Sequence, residues 1–458
     1  MSSPVRIEMR ELLRIAFPLA LSNVGNQLLG LVDTAVVGRL GEVPLGAVGL
    51  GGGLYFVVAV IGLGLMLGLD PLITQALGAD DRRQARHLFV QGLSIAVAVT
   101  LPLLLLMYGA VALLPLFGID AETARETGDY VNARLPSLLP FLLLIGGRSY
   151  LSANSITRPM VVAVIVANVI NLPMSWALVF GDAGLTPYGL PALGVPALGV
   201  AGAGWTSTVC TVVQMAIVLY AARAVGREVE DEPGTSWSLR PDPAAIRRAL
   251  ALGTPIALTL LAEVGIFTLV GILAGVLGSR PLAAHNVALA LAATTFQVAL
   301  AINAAATVRV GRSVGEGDQA KARRAGFVAL GVSATFMSLN GLLFVAFPEG
   351  YARLITDDPN VIAVAAPLMV VAAAFQLVDG LQVVSAGALR GAGDTRFALV
   401  ANLAGHYAVG VPIALYLTWP AEMGVTGLWW GLCAGLSCVA VALVARFDRI
   451  SRREIARA

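Results

Sequence analysis

Residues 40–47 read Leu-Gly-Glu-Val-Pro-Leu-Gly-Ala, and residues 277–284, which lie 237 positions further along, read Leu-Gly-Ser-Arg-Pro-Leu-Ala-Ala. The same offset aligns Pro18 with Pro255, Gly78 with Gly315, Asp81 with Asp318, Ala85 with Ala322 and Arg86 with Arg323. Prolines, glycines and charged residues rarely match by chance at one constant offset. The chain is therefore predicted to consist of two homologous halves.

The composition predicts that lipid is the solvent of this chain. Of its 458 residues, 57% are hydrophobic and only 13% are charged, and the mean hydropathy is +0.82. Because soluble domains carry about 25% charged residues, a water-soluble core would not hide so much apolar surface. The net charge of +2 implies neither nucleic acid nor a strongly charged partner. We expect a polytopic protein that is embedded in the lipid bilayer and that functions there.

Apolar runs separated by charged or Gly/Pro-rich stretches predict an all-α fold of twelve transmembrane helices. Such a helix needs roughly 20 apolar residues to cross about 30 Å of hydrocarbon. The first six are predicted at 11–38, 45–76, 88–114, 127–150, 159–181 and 200–223. The second six are predicted at 246–276, 284–310, 325–347, 363–388, 397–419 and 425–446.

The basic residues predict the orientation, because Lys and Arg are retained on the cytoplasmic side. With the N-terminus inside, only five of the 30 basic residues are predicted on the outer side. These five are Arg39, Arg125, Arg134, Arg280 and Arg353. Both termini are therefore expected in the cytoplasm.

The repeat also predicts the domain organisation. Each half has an even number of helices, so both enter the membrane in the same direction and are related by an axis along the membrane normal. We expect two pseudo-symmetric six-helix lobes, an N-lobe at 1–222 and a C-lobe at 246–446. A cytoplasmic linker at 223–245 and a cytoplasmic tail at 447–458 complete the chain. A cleft between such lobes can open alternately to either side.

Three acidic residues are predicted to lie deep inside apolar helices, namely Asp33 in helix 1, Glu263 in helix 7 and Asp379 in helix 10. Each costs roughly 2.5–3.5 kcal/mol to insert. No basic residue is predicted at the same depth, so a structural ion pair is not expected. A carboxyl group in such a place can take up and release a proton, or it can bind a hard cation such as sodium. We expect these acids to have a functional role rather than a purely structural one.

Polar side chains in neighbouring positions are candidates to complete these sites. They are Asn26, Asn171 and Ser207 near Asp33, Thr259 one turn before Glu263, and Gln376 and Gln382 on either side of Asp379. His285, near the outer end of helix 8, is a candidate to face the cleft. The alternative is that these groups only hold helices together through hydrogen bonds.

Several motifs stand in order along the chain. Residues 31–38 read Leu-Val-Asp-Thr-Ala-Val-Val-Gly, residues 69–72 read Leu-Asp-Pro-Leu and are followed by Gln75 and Gly78-Ala79, and residues 390–395 read Arg-Gly-Ala-Gly-Asp-Thr. Over nearly the full length, the chain resembles the multidrug and toxic compound extrusion (MATE) family. Glu263, Asp379 and residues 283–286, which read Ala-Ala-His-Asn, are similar to its NorM-type branch.

The resemblance implies a secondary multidrug efflux antiporter, which exports small organic cations and amphipathic drugs in exchange for protons or sodium by alternating access. It implies that Asp33 is the N-lobe coupling acid and that Glu263 and Asp379 form the C-lobe cation site, which is also the possible sodium site. Asn286 and the outer acid Asp358 would lie near the drug cavity. We expect a monomer in the bacterial cytoplasmic (inner) membrane, with no enzymatic activity and no cofactor besides the coupling ion.

Three positions depart from the family pattern. Ser175 stands where one branch has a second N-lobe acid, which argues against a mechanism confined to the N-lobe. Asn286 stands where Gln is usual, and Phe375 stands where some NorM-like members have Tyr. These two leave the substrate range and the sodium affinity open. The halves also differ in their acids, because Asp33 aligns with Val270 and Glu263 aligns with Asn26.

Three other functions remain as alternatives. A lipid-linked oligosaccharide flippase of the same superfamily would be expected to line its cleft with arginines, and no arginine is predicted at mid-membrane. A polytopic membrane enzyme would need paired His and Asp residues or a metal cluster at the membrane surface, and the sequence predicts neither. A passive channel would not need buried acids in both lobes. The sequence leaves open whether protons or sodium are used and which lobe couples.

Overall fold

The computed structural model describes residues 4–186, 194–230 and 240–458, and the regular structure within these ranges is entirely helical. Twelve helices in the described ranges are long and apolar enough to cross a membrane, which confirms the predicted fold class. We label them α1 to α12 in chain order. Their bounds are Pro4–Val37, Glu42–Gly78, Arg82–Ala112, Ala121–Ala153, Arg158–Phe180, Val200–Glu230, Pro243–Val276, Ser279–Glu316, Gln319–Ala346, Pro359–Gly391, Thr395–Thr418 and Gly424–Ile450.

Most helices extend beyond the predicted ends, because polar residues outside the apolar runs continue them and cap them. The Asp318 carboxylate accepts a hydrogen bond of 2.8 Å from the backbone N–H of Lys321 at the start of α9. Asp120 accepts one of 2.9 Å from Thr123 at the start of α4. Each cap satisfies a backbone donor that the first turn of a helix leaves without a partner.

Three of the twelve helices are interrupted. Gly68 separates Glu42–Leu67 from Leu69–Gly78 in α2. A 3₁₀ turn at Leu135–Ser137 interrupts α4, because Pro136 has no backbone N–H to donate to the preceding turn. In α11 a π-helical segment, Ala404–Gly410, joins Thr395–Leu403 to Val411–Thr418.

The contacts group the chain into two compact units. The first, which we call the C-terminal unit, contains Met1–Ala20, Asp70–Asp81 and Ala251–Ala458. The second, the N-terminal unit, contains Leu21–Leu69 and Arg82–Leu250. The lobe boundaries at 222 and 246 stay a prediction. Of the predicted linker 223–245, residues 231–239 lie outside the described residues, while α6 runs to Glu230 and α7 begins at Pro243.

Aromatic residues form the centre of the C-terminal unit. Trp429 is fully buried, and its ring lies edge-on to Phe375 with 5.4 Å between ring centroids. Phe375 in turn packs edge-on against Phe267 at 6.1 Å. Such edge-to-face pairs stabilise a core beyond the area that they bury. They fix α7, α10 and α12 against one another around the region where the acids of this unit lie.

Two glycines allow the end of α2 to pack closely on α8 within the C-terminal unit. A Cβ added to Gly78 would collide with the carbonyl oxygen of Arg312, and one added to Gly315 would collide with the carbonyl oxygen of Gln75. The Gln75 side chain donates a hydrogen bond of 2.9 Å to the Gly391 carbonyl oxygen. This packing requires residues without a side chain at both positions.

An ion pair adds to the C-terminal unit at the start of α1. The Arg309 guanidinium donates to both carboxylate oxygens of Glu8, at 2.7 and 2.8 Å. Their side chains are only 11% and 4% exposed. This two-point geometry is the strongest form of an arginine–carboxylate pair.

In the N-terminal unit the start of α7 is held against α3. Asp242 caps α7, and its carboxylate lies 3.1 Å from Nε2 of His87. Its backbone N–H donates to the Gln91 side chain at 2.8 Å, and the Gln91 amide donates to the Arg240 carbonyl oxygen at 3.1 Å. The described end of the predicted linker is therefore fixed to α3 by side-chain contacts.

Candidate functional site

Asp33 of the N-terminal unit lies on α1 and is only 3% exposed. The Asn171 amide on α5 donates to its Oδ1 at 2.9 Å, and the Ser207 hydroxyl on α6 donates to its Oδ2 at 2.6 Å. The structure thus brings together the acid and two of the three polar residues predicted to surround it. The third, Asn26, accepts a hydrogen bond of 3.1 Å from Gln214.

An arginine lies beside this acid. Nη1 of Arg134 donates to the Ser207 hydroxyl at 3.3 Å and to the Tyr130 hydroxyl. Its guanidinium lies over the Tyr55 ring, 4.5 Å from the centroid. Arg134 is the last residue of the first part of α4, where the turn at Pro136 begins. A single hydroxyl therefore separates a guanidinium from the Asp33 carboxylate.

These groups line a cavity of about 300 Å³ within the N-terminal unit. Asp33, Arg134 and a second arginine, Arg148, are the charged residues of its wall. The prediction that no arginine lies at the depth of the acids is wrong for Asp33. It failed because the predicted start of helix 4 at 127 left Arg134 close to the membrane surface, whereas α4 begins at Ala121.

Glu263 on α7 is the centre of the site in the C-terminal unit. Its Oε1 accepts hydrogen bonds from the Gln382 amide on α10 and from the Asn402 amide on α11, both at 2.8 Å. Asn402 lies two residues before the π-helical segment of α11. Arg390 is close enough for its charge to attract Glu263. The acid is therefore held by amides from two other helices.

Asp379 lies on α10 one turn before Gln382 and is 8% exposed. It is close enough to Glu263 for the two negative charges to repel each other. The amide oxygens of Asn402 and Gln376 are buried and have no hydrogen-bond partner among the described residues. Two carboxylates with amide oxygens near them form an environment that suits a proton or a hard cation.

Several predicted site residues are engaged elsewhere. The Thr259 hydroxyl donates at 2.8 Å to the Pro255 carbonyl oxygen of its own helix. His285 is 1% exposed, and its Nδ1 accepts a hydrogen bond of 3.2 Å from Trp429. Asp358 caps α10 through the Asn360 N–H at 2.8 Å, and Asn286 is exposed on α8. Thr259, His285 and Asp358 each have a hydrogen-bond partner, and their roles in the site stay predictions.

Four polar residues beside the acids were not predicted from the sequence, namely Arg134, Arg148, Gln214 and Asn402. Asn402 was detectable, because it is the one amide inside the apolar run 397–419. Gln214 was detectable in the same way inside 200–223. The arginines were harder to find, because they lie near predicted helix ends and were used as orientation signals.

Comparison with known proteins identifies the family. The MatE family model matches residues 18–177 and again residues 255–416. The two matches begin at the pair of prolines that the repeat aligns. The multidrug resistance protein NorM of Burkholderia vietnamiensis is 34% identical over 440 residues, which cover 95% of this chain and 92% of that protein. A probable multidrug resistance protein NorM of Rhodopseudomonas palustris is 35% identical over 461 residues, which cover 100% of this chain and 95% of that protein.

Solved structures share the fold. The crystal structure of the eukaryotic MATE transporter AtDTX14 matches with a TM-score of 0.85 and 23% identity, covering 99% of this chain and 100% of that chain. A MOP superfamily transporter from Pyrococcus furiosus matches with a TM-score of 0.84 and 18% identity, covering 99% of this chain and 98% of that chain. With twelve apolar helices and these bacterial relatives, the chain is a multi-pass bacterial membrane protein and a transporter rather than an enzyme. It belongs to the MatE family.

Proposed function

We propose that this transporter is a secondary antiporter for multidrug efflux, which exports organic cations and amphipathic drugs in exchange for protons or sodium. The observation that carries the proposal is the site of Glu263 and Asp379. Two carboxylates share an apolar environment with amide groups, and their mutual repulsion is relieved when a cation or proton binds. The relatives named multidrug resistance protein support the substrate class.

Drug export is coupled to ion entry because the drug and the ion compete for the negative charge of these carboxylates. When the site opens outward, a proton or sodium ion binds the carboxylates and a cationic drug leaves. When it opens inward, the ion leaves and the bare carboxylates attract the next drug molecule. One charge moved through about 100 mV supplies roughly 2.3 kcal/mol, which sustains about a fortyfold drug gradient. Alternating access of this kind requires no nucleotide.

We also propose a membrane topology, a cellular location and an oligomeric state for the protein. The distribution of basic residues supports both termini in the cytoplasm, and the bacterial relatives support the cytoplasmic membrane. We propose that a single chain is the transporting unit, because each chain carries both acidic sites. Labelling of cysteines introduced at the two ends of α2, for example at Glu42 where the helix begins and at Asp81 in the loop after it, tests the orientation. Impermeant reagent added to intact cells should label position 42 and not position 81.

The decisive experiment measures ethidium exchange in proteoliposomes, with a pH gradient and a sodium gradient imposed in separate reactions. We expect one of the two gradients to drive exchange and the Asp379→Asn protein to be inactive in both. Asp357→Asn, an exposed aspartate ahead of the same helix, is the matched control. Exchange at the wild-type rate by Asp379→Asn would exclude the proposed coupling site.

One observation favours a second function. Arg134 and Arg148 line the N-terminal cavity, and arginines in the cleft are the feature expected of a lipid-linked oligosaccharide flippase. The same proteoliposomes test it with a fluorescent polyprenyl phosphate, whose accessibility to external dithionite reports movement between leaflets. Flipping without ethidium exchange would establish the flippase and reject the antiporter.

A further inference from the structure

The last residues of the sequence are folded onto the C-terminal unit. The tail that was predicted at 447–458 begins after Ile450, where α12 ends, and we call its residues 452–458 the strap. We propose that the strap is a releasable restraint, which holds the second part of α2 in place and slows the transport cycle while it is bound. This inference adds regulation to the proposed transporter, so its part on transport rests on that function.

The strap starts from a fixed point. Ser451 is only 2% exposed, and its hydroxyl accepts a hydrogen bond of 3.0 Å from the Arg323 guanidinium on α9. The same guanidinium donates at 2.6 Å to the Asp448 carboxylate near the end of α12. The end of α12 is therefore joined to α9 just before the strap begins.

Two glutamine side chains hold the backbone of the strap. The side-chain oxygen of Gln319 on α9 accepts a hydrogen bond of 3.2 Å from the Ile455 N–H, and its amide group donates at 3.4 Å to a carbonyl oxygen at the end of α12. The side-chain oxygen of Gln75 on α2 accepts one of 2.7 Å from the Ala458 N–H, and its amide group donates to the Gly391 carbonyl oxygen. Each glutamine thus binds the strap with one end of its amide and a helix with the other.

Two side chains of the strap make this docking specific to its sequence. Nη2 of Arg457 donates at 2.6 Å to the Gly315 carbonyl oxygen. Because α8 ends at Glu316, this carbonyl is one of the last four of the helix, which have no donor within the helix. The negative end of the helix dipole adds to the attraction of a guanidinium. Ile455 packs against a buried apolar cluster that contains Val310.

The element that the strap restrains is the second part of α2, Leu69–Gly78. The break at Gly68 means that this part is not joined to the rest of α2 by an uninterrupted ladder of hydrogen bonds. It carries Asp70, whose carboxylate lies 3.8 Å from Nη1 of Arg390, the arginine whose charge acts on the cation site. By binding Gln75, the strap restrains the segment that presents Asp70 to this arginine.

The contacts of the strap are weak enough to be reversible. All of its residues except Ile455 are exposed, so its hydrogen bonds compete with water. Ordering seven residues costs conformational entropy that a few such bonds barely offset, and both the bound and the released state should therefore be populated. Alternating access requires the protein to leave each arrangement during its cycle. A strap that stabilises one arrangement slows the departure from it.

Deletion of residues 452–458 tests the restraint. Hydrogen exchange of the purified protein in detergent should become about tenfold faster in Leu69–Gly78 and stay unchanged in Glu42–Leu67 of the same helix. Arg457→Gln keeps the whole chain and should give part of this effect. Arg453→Gln is the matched control, because this exposed arginine makes no side-chain hydrogen bond or ion pair with the described residues. Equal exchange of Leu69–Gly78 with and without the strap overturns the proposal.

A synthetic peptide of residues 451–458 tests whether the strap can be released and bound again. A short tether gives an effective concentration in the millimolar range, so a strap that is bound most of the time requires a dissociation constant of about 1 mM or lower for the free peptide. Fluorescence anisotropy of the labelled peptide with the truncated protein measures this constant. A peptide with Arg457→Gln should bind about tenfold more weakly. Absence of saturable binding in the millimolar range overturns the proposal.

Ethidium exchange in proteoliposomes tests the effect on transport. The truncated protein and Arg457→Gln should exchange ethidium about two- to threefold faster than the wild type, and Arg453→Gln should match the wild type. Equal or slower exchange by the truncated protein and Arg457→Gln overturns the regulatory role. If none of the proteins exchanges ethidium, the antiporter proposal fails instead. Hydrogen exchange and peptide binding require no ion gradient, and they then decide by themselves whether the strap restrains α2.

Discussion

Gly78 and Gly315, which occupy equivalent positions in the two halves of the sequence, pack against each other. A Cβ on Gly78 would lie 2.9 Å from the Cα of Gly315, closer than real side chains approach a backbone. The two copies of the duplicated motif, one at the end of α2 and one at the end of α8, thus contact each other. At this point the repeat in the sequence corresponds to a direct contact between equivalent residues of the two halves.

This contact predicts the effect of a single methyl group. Gly78→Ala should destabilise the protein by about 1–3 kcal/mol, because backbone on both sides leaves no room for the new atom. Gly53→Ala on the same helix has open space around it and should be neutral or slightly stabilising. Thermal unfolding of the two variants in detergent measures the difference. Equal melting temperatures would show that the α2–α8 contact is looser than described.

The amides around Glu263 predict a loss of ion affinity. Asn402→Ala removes one of the two hydrogen bonds to Oε1, and we expect the apparent affinity for the coupling ion to fall about tenfold. Thr259→Val is the control, because its hydroxyl contacts the backbone of its own helix. The concentration of proton or sodium that gives half-maximal ethidium exchange is the measured quantity. A larger effect in Thr259→Val than in Asn402→Ala would reject this arrangement.

The buried His285 predicts a change in stability and not in drug range. His285→Leu removes the acceptor for the Trp429 N–H. We expect the free energy of unfolding to fall by about 1–3 kcal/mol, because the donor stays buried. His285→Gln keeps an acceptor and should recover part of the loss. Resistance of cells to ethidium and to an unrelated cationic drug should fall in the same proportion. A selective loss for one drug would instead place His285 in the substrate path.

The cap of α7 predicts a pH-dependent change outside the membrane. The hydrogen bond from His87, followed by the backbone N–H of Ala245, lowers the pKa of Asp242 below its ordinary value of 3.8. The ionised cap therefore stabilises the helix start above that value, and this stabilisation is lost as the pH falls through the lowered pKa. His87→Ala should raise the pKa, so the loss begins at a higher pH.

Hydrogen exchange of the first turn of α7 between pH 2.5 and 6 measures this shift. The start of α4 serves as an internal control, since the Thr123 N–H lowers the pKa of Asp120 without a histidine. The protection of the start of α4 from hydrogen exchange should have the same pH dependence in the wild type and in His87→Ala. Unchanged curves at both helices would show that His87 does not act on the cap.

Much of the architecture could be predicted because it depends on patterns that are local or repeated. Apolar runs gave the twelve helices, and the offset of 237 was recovered independently by a family model that matches from Pro18 and again from Pro255. The grouping of Asp33 with Asn171 and Ser207 was also predicted, because few polar residues occur in apolar helices.

The remaining errors have two physical origins, namely the rotation of helices about their axes and the position of helix ends and breaks. Gln382 was assigned to Asp379 on its own helix, but it points to Glu263 on another. Arg134 was assigned to the surface, but the turn at Pro136 and the longer α4 bring it to Asp33. Neither helix phase nor the position of a break follows from composition alone.

The π-helical segment at Ala404–Gly410 has a consequence for the register of α11. A π turn accommodates one residue more than an α turn of similar length, so the segment has the form of a single-residue insertion into an ordinary helix. If the same residues formed an ordinary α-helix instead, the residues before the segment would be turned by about 100° relative to Val411–Thr418. Asn402 would then leave Glu263, although every side chain of the site would still be present. The arrangement around Glu263 therefore depends on the π-helical geometry of this segment as much as on the identity of its residues.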